Sequence, residues 1–251
     1  EISLCDWSSD VCSSDLPVGI NYSLRYRSEL AANEQYQRNL DSAMSWLENA
    51  DSALNQVINV LHRARFLTVQ GANGTNSDQS LQAIADEMKQ LMSQLFEIAN
   101  TQFNGKYIFN GFKTDQAPYS QTEIDNFINN NGALTDNFHD GEIIFEVARG
   151  VTVPINQHAG EIFGSASDGD NIFIVLRRII TELENNNPEA VGNEIGNLDS
   201  RMDTILQKWA EVGARYNRME LMNNRLKDDN LNVITLLSKT EDADLAEVII
   251  N

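Results

Sequence analysis

Apolar residues in the last third of the chain recur at alternating spacings of four and three, interrupted twice by asparagine. The series is Val191, Ile195, Leu198, Met202, Ile205, Trp209, Val212, Tyr216, Met219, Asn223, Leu226, Asn230, Val233 and Leu237. A 3.5-residue repeat keeps one stripe facing a partner and implies a left-handed supercoil. At ~1.5 Å per residue such a helix would be roughly 70 Å long. It needs other long helices beside it, so the pattern predicts an elongated building block.

Two polar residues interrupt this series. Asn223 and Asn230 occupy positions where the repeat calls for apolar side chains. Buried asparagines at such positions set the register of a coiled coil at some cost in stability, whereas exposed ones simply face solvent. The sequence leaves both interpretations open.

The first half of the chain supplies partner helices. Leucines recur at seven-residue intervals, with smaller residues at the intermediate positions: Leu40, Leu47, Leu54 and Leu61, then Ala43, Ala50, Val57 and Ala64. A second helix has the same register: Leu81, Met88 and Leu95 alternate with Ile84, Leu91 and Ile98. The glycine-containing segment 71–78 lies between the two helices, and Asn76, Ser77 or Asp78 could cap the second one. We therefore expect two antiparallel helices joined by a tight turn.

Each stripe alone would also fit an ordinary amphipathic helix on a globular core. Three registers sustained over such lengths favour a mainly α fold, an elongated antiparallel helical bundle with coiled-coil character. The predicted helix-packing stripe comprises Leu40, Leu47, Leu54, Leu61, Leu81, Met88, Leu95, Ile195, Leu198, Met202, Ile205, Trp209, Val212 and Tyr216.

The periodicity changes between the helical halves. Segment 106–112 is aromatic and β-branched and follows Asn104-Gly105, a turn dipeptide. Segments 142–147 and 151–155 flank Ala148-Arg149-Gly150 and predict a hairpin, and Ile162-Phe163 suggests another short strand. The Asn-rich segment 126–138 predicts an exposed loop. We therefore place a small β-rich insert at 106–165.

A short helix is predicted after the insert, from Ile172 to Leu183. Asp168-Gly169-Asp170-Asn171 resembles the start of a calcium loop, but the apolar residues that follow favour a helix N-cap. Pro188 suits the first turn of the next helix, because its missing N–H needs no partner there.

The first sixteen residues do not fit the rest of the chain. Residues 6–16 match, letter for letter, the translation of one frame of a short-read sequencing adapter. The alternative is a genuine Ser/Asp-rich loop, but we interpret 1–16 as an assembly artefact. Both cysteines, Cys5 and Cys12, lie there. The predicted division is 1–16 artefact, 17–105 N-terminal helical half, 106–165 insert and 166–251 C-terminal helical half. We also expect helix to be missing at both ends.

The composition argues against several classes of function. The net charge of −19 disfavours nucleic acid and acidic membrane surfaces as partners, because both require clustered Lys and Arg. His62, His139 and His158 are isolated, without metal-site spacing. Asn73-Gly74-Thr75 matches a glycosylation acceptor, but a turn role explains it equally well. We expect no catalytic residue, no metal site and no cofactor.

Several motifs resemble the flagellin family of bacteria. They are Asp51-Ser52-Ala53-Leu54, segment 69–75, Ile98-Ala99-Asn100-Thr101 and, near the other end, segment 237–247. Segment 105–114, Gly-Lys-Tyr-Ile-Phe-Asn-Gly-Phe-Lys-Thr, resembles the hook–filament junction members more than flagellin itself. Pro17-Val18 also fits the family's early segment. The resemblance covers nearly everything from Pro17 onward and is weakest between about 120 and 165.

The resemblance implies a flagellin-like fold and a structural, non-enzymatic role. Such a subunit would be exported unfolded by the flagellar secretion system and would adopt its place outside the cell, at the hook–filament junction. The implied partners are hook-associated protein 1, flagellin, neighbouring copies of itself, and the flagellar export apparatus with its chaperone. The nearest alternative is a flagellin, the filament subunit. A different alternative is a ligand-binding or enzymatic module carried on a helical stalk.

Overall fold

A computed structural model describes residues 9–130, 132–135, 138–139 and 141–250, with side chains described from 19 to 241. The elements, in chain order, are α1 (Ser9–Gly71), α2 (Asp78–Ala99), β1 (Gln102–Phe103), β2 (Lys106–Tyr107), α3 (Gln121–Asn129), β3 (Ile144–Ala148), β4 (Val151–Pro154), α4 (Ala159–Phe163), α5 (Ile172–Glu184), α6 (Pro188–Asn193) and α7 (Ile195–Ile250). The predicted mainly α class is confirmed. Residues 1–8 of the suspected artefact lie outside the described residues, so that interpretation stays a prediction.

Tertiary contacts gather the chain into two compact units. The first unit contains residues 1–42, 145–153 and 218–251, and the second unit contains 43–144 and 154–217. Both long helices, α1 and α7, contribute to each unit. The division into helical halves and an insert remains a prediction.

The strands form two separate two-stranded sheets. In the first sheet β1 pairs with β2 in antiparallel register, with Gln102 opposite Tyr107. In the second, β3 pairs with β4 around Gly150, whose φ of 73° suits a tight turn. The predicted hairpin is confirmed.

Helix boundaries follow the capping residues. Of the three candidate caps for α2, Ser77 takes the role, since its hydroxyl accepts a hydrogen bond from Ser80 N at 3.3 Å. Asn171 caps α5 by accepting from Phe173 N and Ile174 N, which confirms the N-cap interpretation. Pro188 lies in the first turn of α6 as predicted. The long helix is split, because α6 ends at Asn193 and α7 begins at Ile195.

The short strand predicted at Ile162-Phe163 is wrong. Both residues belong to α4, where Ile162 N donates to His158 O at 3.2 Å. A single helical turn buries both side chains, and the Phe163 ring lies 5.9 Å from Phe109 and 5.6 Å from Phe173. Aromatic packing, a tertiary effect, therefore overrides the local β preference.

Two further predictions in the insert need correction. The strand predicted at 106–112 is limited to β2, because the backbone leaves the sheet and Asn110 instead forms an isolated bridge with His158. The loop predicted at 126–138 begins within α3, where Phe127 is fully buried. Asn126, Asn129 and Asn130 are exposed, whereas Ile124 and Phe127 are buried in the core.

An aromatic cluster forms part of the core of the second unit. The rings of Phe96 in α2 and Phe173 in α5 stack with centroids 3.9 Å apart. Tyr119 packs edge-on against both, and Phe127 of α3 lies 6.0 Å from Phe96. Edge-to-face and offset-stacked pairs at these spacings add specificity to the apolar burial.

Candidate helix-packing surface

The predicted stripe residues of α1 and α2 all lie in the interior. Seven side chains are at most 3% exposed: Leu40, Leu47, Leu54, Leu61, Leu81, Met88 and Leu95. The intermediate residues Ala43, Ala50, Val57 and Ala64 are fully buried as well. Small residues between leucines permit close approach of helices. The role of each residue in packing against a particular partner stays a prediction.

The stripe on α7 contains both buried and half-buried positions. Leu198, Met202, Ile205 and Val212 are buried, whereas Ile195, Trp209 and Tyr216 are half-buried. The series continues in the first unit, where Met219, Asn223, Leu226 and Val233 are also buried. Asn223 therefore lies on the buried side of the helix.

Polar bonds join α1 and α7 within the second unit. Arg65 donates to both oxygens of Asp199, through Nε at 2.6 Å and Nη2 at 3.0 Å. This hydrogen bond lowers the pKa of the Asp199 carboxyl, with the charge of Arg65 contributing in the same direction. A bidentate pair fixes direction as well as distance.

Two aromatic side chains extend the same connection. Trp209 Nε1 donates to Asp51 Oδ1 at 2.6 Å, and the Tyr216 hydroxyl donates to Glu48 Oε1 at 2.8 Å. Residue numbers fall along α1 as they rise along α7, so the two helices run antiparallel in this unit. Each side chain has an apolar ring that packs against the protein and a polar tip that forms the hydrogen bond, which explains why both residues are only half-buried.

The first unit has its own connections. Glu241 Oε1 accepts from Arg27 Nη2 at 2.7 Å and from the Ser23 hydroxyl at 3.0 Å, and these bonds lower the pKa of the Glu241 carboxyl. The β3–β4 hairpin is tied to α1 by Asn39, whose Nδ2 donates to the Glu146 carbonyl at 2.8 Å. α1, α7 and the hairpin are thereby brought together.

The sequence interpretation missed Arg201. Its side chain is 7% exposed, and Nη2 donates to Asp170 Oδ1 at 2.5 Å while Nε donates to the Asp170 carbonyl at 3.1 Å. Gly164, at φ 93°, leaves the space that the guanidinium fills, since an added Cβ would lie 2.8 Å from Nη2. Arg201 therefore joins α7 to the loop before α5. Only its position beside the apolar Met202 in the heptad series hinted at burial.

In the Phe-Asn-Gly-Phe motif at 109–112, the first three residues are buried and Phe112 is exposed. Gly111 has φ 59°, and an added Cβ would lie 1.7 Å from the His139 carbonyl oxygen. Asn110 is 1% exposed and donates to the Gln116 carbonyl at 3.0 Å. Glycine is required here by both conformation and space.

The described residues show little that points to reaction chemistry. No group of three or more His, Cys, Asp or Glu side chains within them converges as metal ligands would. His139 packs beside Phe112 with ring centroids 5.9 Å apart, and His158 precedes α4. Over the same part of the chain, no helix has the length and apolarity to cross a membrane. What the geometry provides is fixed registers between helices.

Comparison with known proteins shows which proteins this chain resembles. Residues 11–114 match the bacterial flagellin N-terminal helical region. The chain is 27% identical to flagellar hook-associated protein 3 of Salmonella typhimurium over 260 aligned residues, covering 94% of this chain and 78% of the relative. It is 24% identical to the flagellar filament 30.7 kDa core protein of Treponema maltophilum, covering 95% of this chain and 76% of that protein.

A solved structure gives the same result for the fold. A structure from Vibrio parahaemolyticus, assigned to a flagellar hook-associated protein, superposes with a TM-score of 0.79 at 26% identity, covering 90% of this chain and 99% of that one. The chain is thus similar to flagellar hook-associated protein 3 along nearly its whole length, in sequence and in fold.

Proposed function

We propose that this chain is a structural subunit of the bacterial flagellum, an adaptor that joins hook-associated protein 1 to the flagellin filament at the hook–filament junction. The observation that carries the proposal is similarity to flagellar hook-associated protein 3 along nearly the whole chain, in sequence and in fold. The proposed role is mechanical: the chain catalyses no reaction.

The internal contacts support such a role. Within the second unit, bonds such as Arg65–Asp199 and Tyr216–Glu48 hold α1 and α7 in one antiparallel register. Fully buried leucines on α1 add apolar packing in the same unit. A helix pair fixed in both ways resists sliding, which a subunit transmitting torque requires. The outer faces remain for neighbouring copies, hook-associated protein 1 and flagellin.

A gene replacement tests the proposal. In a flagellated host lacking its own hook-associated protein 3, expression of the gene that encodes this chain should restore filaments and swimming. Immunogold labelling should place the subunit at the distal end of the hook. Filaments that form normally without either gene, or label that is absent from hook ends, would contradict the role. A strain complemented with the host's own gene is the positive control.

The second candidate is a filament subunit, favoured by the similarity to the Treponema maltophilum filament core protein. Copy number separates the two roles. A junction protein should be a minor band in sheared, washed filaments, whereas a filament subunit should be the dominant one. Quantitative mass spectrometry of sheared filaments from the producing bacterium distinguishes these outcomes.

A further inference from the structure

Four Asn-Gly dipeptides occur in the chain, and the structure describes three of their asparagines: Asn73, Asn104 and Asn110. The fourth, Asn131, lies outside the described residues. Glycine after asparagine leaves the next backbone nitrogen unshielded, because no Cβ stands beside it. That nitrogen is the nucleophile of deamidation, in which it attacks the side-chain amide. The three described asparagines have different surroundings, so their reactivities should differ.

Asn73 lies in the exposed turn between α1 and α2. Its Oδ1 accepts two hydrogen bonds from Thr75, one from the backbone N at 3.2 Å and one from Oγ1 at 3.0 Å. Both bonds fold the side-chain carbonyl forward over the Gly74 peptide. Asn73 Nδ2 and the Gly74 N–H have no acceptor among the residues that the structure describes. The nucleophile and the leaving group are therefore free, while the carbonyl oxygen is held.

The other two asparagines lack this arrangement. Asn104 is exposed in the loop between β1 and β2, and its Oδ1 accepts no hydrogen bond within the described part of the chain. Asn110 is 1% exposed, and its Nδ2 donates to the Gln116 carbonyl at 3.0 Å. Asn104 thus has an accessible amide without polarisation of its carbonyl, and Asn110 has neither access nor a free amide nitrogen.

We propose that Asn73 is a site of spontaneous deamidation, activated by Thr75, with water as the only co-reactant. The Gly74 nitrogen, deprotonated by hydroxide, forms a bond to Asn73 Cγ, and the C=O electron pair moves onto Oδ1. Collapse of this tetrahedral oxyanion expels Nδ2, which takes a proton from water and leaves as ammonia. Water then opens the five-membered imide at either carbonyl, giving aspartate or isoaspartate. The reaction consumes one water and releases one ammonia.

Thr75 acts where negative charge develops. Its N–H and its hydroxyl already donate to Oδ1 in the resting turn, and donors fixed at a developing oxyanion lower the barrier without reorganisation. An aspartate product still accepts both hydrogen bonds, which are then charge-assisted. The turn therefore survives conversion to aspartate and gains a negative charge, whereas isoaspartate adds a methylene to the backbone. No partner or assembly is needed, so the inference is independent of the proposed function.

Ageing of the purified chain at mildly alkaline pH tests the inference. Trypsin cleaves after Lys and Arg, so the three described sites fall in separate peptides, 66–89, 90–106 and 107–113. Tandem mass spectrometry measures the exchange of amide for acid at each asparagine, and isoaspartyl methyltransferase labels the isoaspartate.

The folded and unfolded chains give different expected orders. In the folded chain Asn73 should react faster than Asn104, and Asn110 should stay intact. In guanidinium chloride, which removes the turn, Asn73 and Asn104 should react at similar rates. If Asn73 reacts no faster than Asn104 in the folded chain, the inference is overturned.

Variants of the turn separate the two proposed roles. Thr75→Val removes the hydroxyl donor and should slow the reaction at Asn73 about fivefold, the effect of one hydrogen bond on a barrier. Thr75→Ser restores a hydroxyl and should react at nearly the parental rate. An unchanged or faster reaction in Thr75→Val overturns activation by Thr75.

Gly74→Ala tests the nucleophile. The added Cβ meets no atom within 4 Å, so the turn accepts it, yet it shields the neighbouring nitrogen and should slow the reaction at Asn73. The rate at Asn104 is the internal control and should not change in any of these variants. An unchanged rate at Asn73 in Gly74→Ala overturns attack by the Gly74 nitrogen.

Discussion

Trp209 Nε1 donates a hydrogen bond of 2.6 Å to Asp51 Oδ1, joining α7 to α1 across 158 positions of sequence. The indole lies in the heptad series of α7, and the carboxylate sits on the exposed side of α1. One side chain thus contributes apolar contact and a direct polar bond between the two helices. The register of the pair is fixed at this point.

Replacing the indole tests this relationship. Trp209→Phe should lower the free energy of unfolding by about 1 kcal/mol, because one charge-assisted hydrogen bond at a partly exposed site is lost. Urea unfolding followed by circular dichroism measures the change. A double-mutant cycle with Asp51→Ala isolates the pair, and a coupling energy near zero would show that the bond contributes nothing.

Truncation of a buried stripe leucine should be much more severe. Leu47 is fully buried, so Leu47→Ala removes apolar contacts and leaves a cavity, which costs about 2–5 kcal/mol. The control is Leu231→Ala on α7, where the leucine is 64% exposed and the change should stay within about 0.5 kcal/mol. Similar losses in the two variants would refute a buried role for the stripe.

The Phe-Asn-Gly-Phe motif depends on Gly111. Gly111→Ala meets both a positive φ and the His139 carbonyl oxygen, so we expect a loss of about 3 kcal/mol or more. Gly105→Ala has the same kind of backbone, with φ 75°, but no atom within 4 Å of the added Cβ. It should cost only about 1 kcal/mol. Thermal unfolding of both variants measures the two losses of stability. Equal losses would mean that the close approach of the His139 carbonyl oxygen to Gly111 does not matter.

Acid sensitivity should follow the pair between α4 and α7. Lys208 Nζ lies 2.8 Å from Glu161 Oε2, and this hydrogen bond lowers the pKa of Glu161 below its ordinary 4.5. A lowered carboxyl pKa contributes stability that is present above the ordinary value and is lost as the pH falls through the folded-state value. Glu161→Gln should therefore be less stable than the parent at pH 7, and the difference should shrink below pH 4.5.

Urea midpoints measured between neutral and acid pH test this expectation. Glu97→Gln is the matched control, since Glu97 is exposed and forms no ion pair among the described residues. It should show no comparable gap at pH 7. A gap for Glu161→Gln that stays constant down to acid pH would exclude titration of Glu161 as its cause.

Removal of Arg201 should destabilise the second unit strongly. Arg201→Ala leaves the Asp170 carboxylate, which is 30% exposed, without its charged partner, and the loss of a hydrogen bond between charged groups costs about 1.5–3 kcal/mol. Arg201→Lys keeps the charge but loses the fork of donors, so it should fall between the parent and Arg201→Ala. The exposed Arg225→Ala should change the free energy of unfolding by less than about 1 kcal/mol. Chemical denaturation of the three variants gives this order if the burial of Arg201 matters.

The three longest helices and the starts of α2, α5 and α6 could be predicted from the sequence. The 3.5-residue repeat identified α1, α2 and α7, and local capping chemistry at Asn171 and Pro188 marked where shorter helices begin. These signals lie within one or two turns of the backbone they govern. Such local signals can therefore be recognised in the sequence before the fold is known.

The insert and the polar connections could not be predicted in the same way. Ile162-Phe163 has a strand-like composition, yet the ring cluster with Phe109 and Phe173 selects a helical turn. Similarly, Arg201 and Asp170 lie 31 residues apart, and no spacing rule relates them.

Periodicity alone determined that this chain forms long helices with one apolar side. Tertiary structure decided which polar residues form hydrogen bonds between those helices and which segment of the insert becomes helical. The physical reason is range: backbone capping and side-chain period act between near neighbours in sequence, whereas desolvation of a guanidinium or stacking of rings depends on groups that only folding brings together.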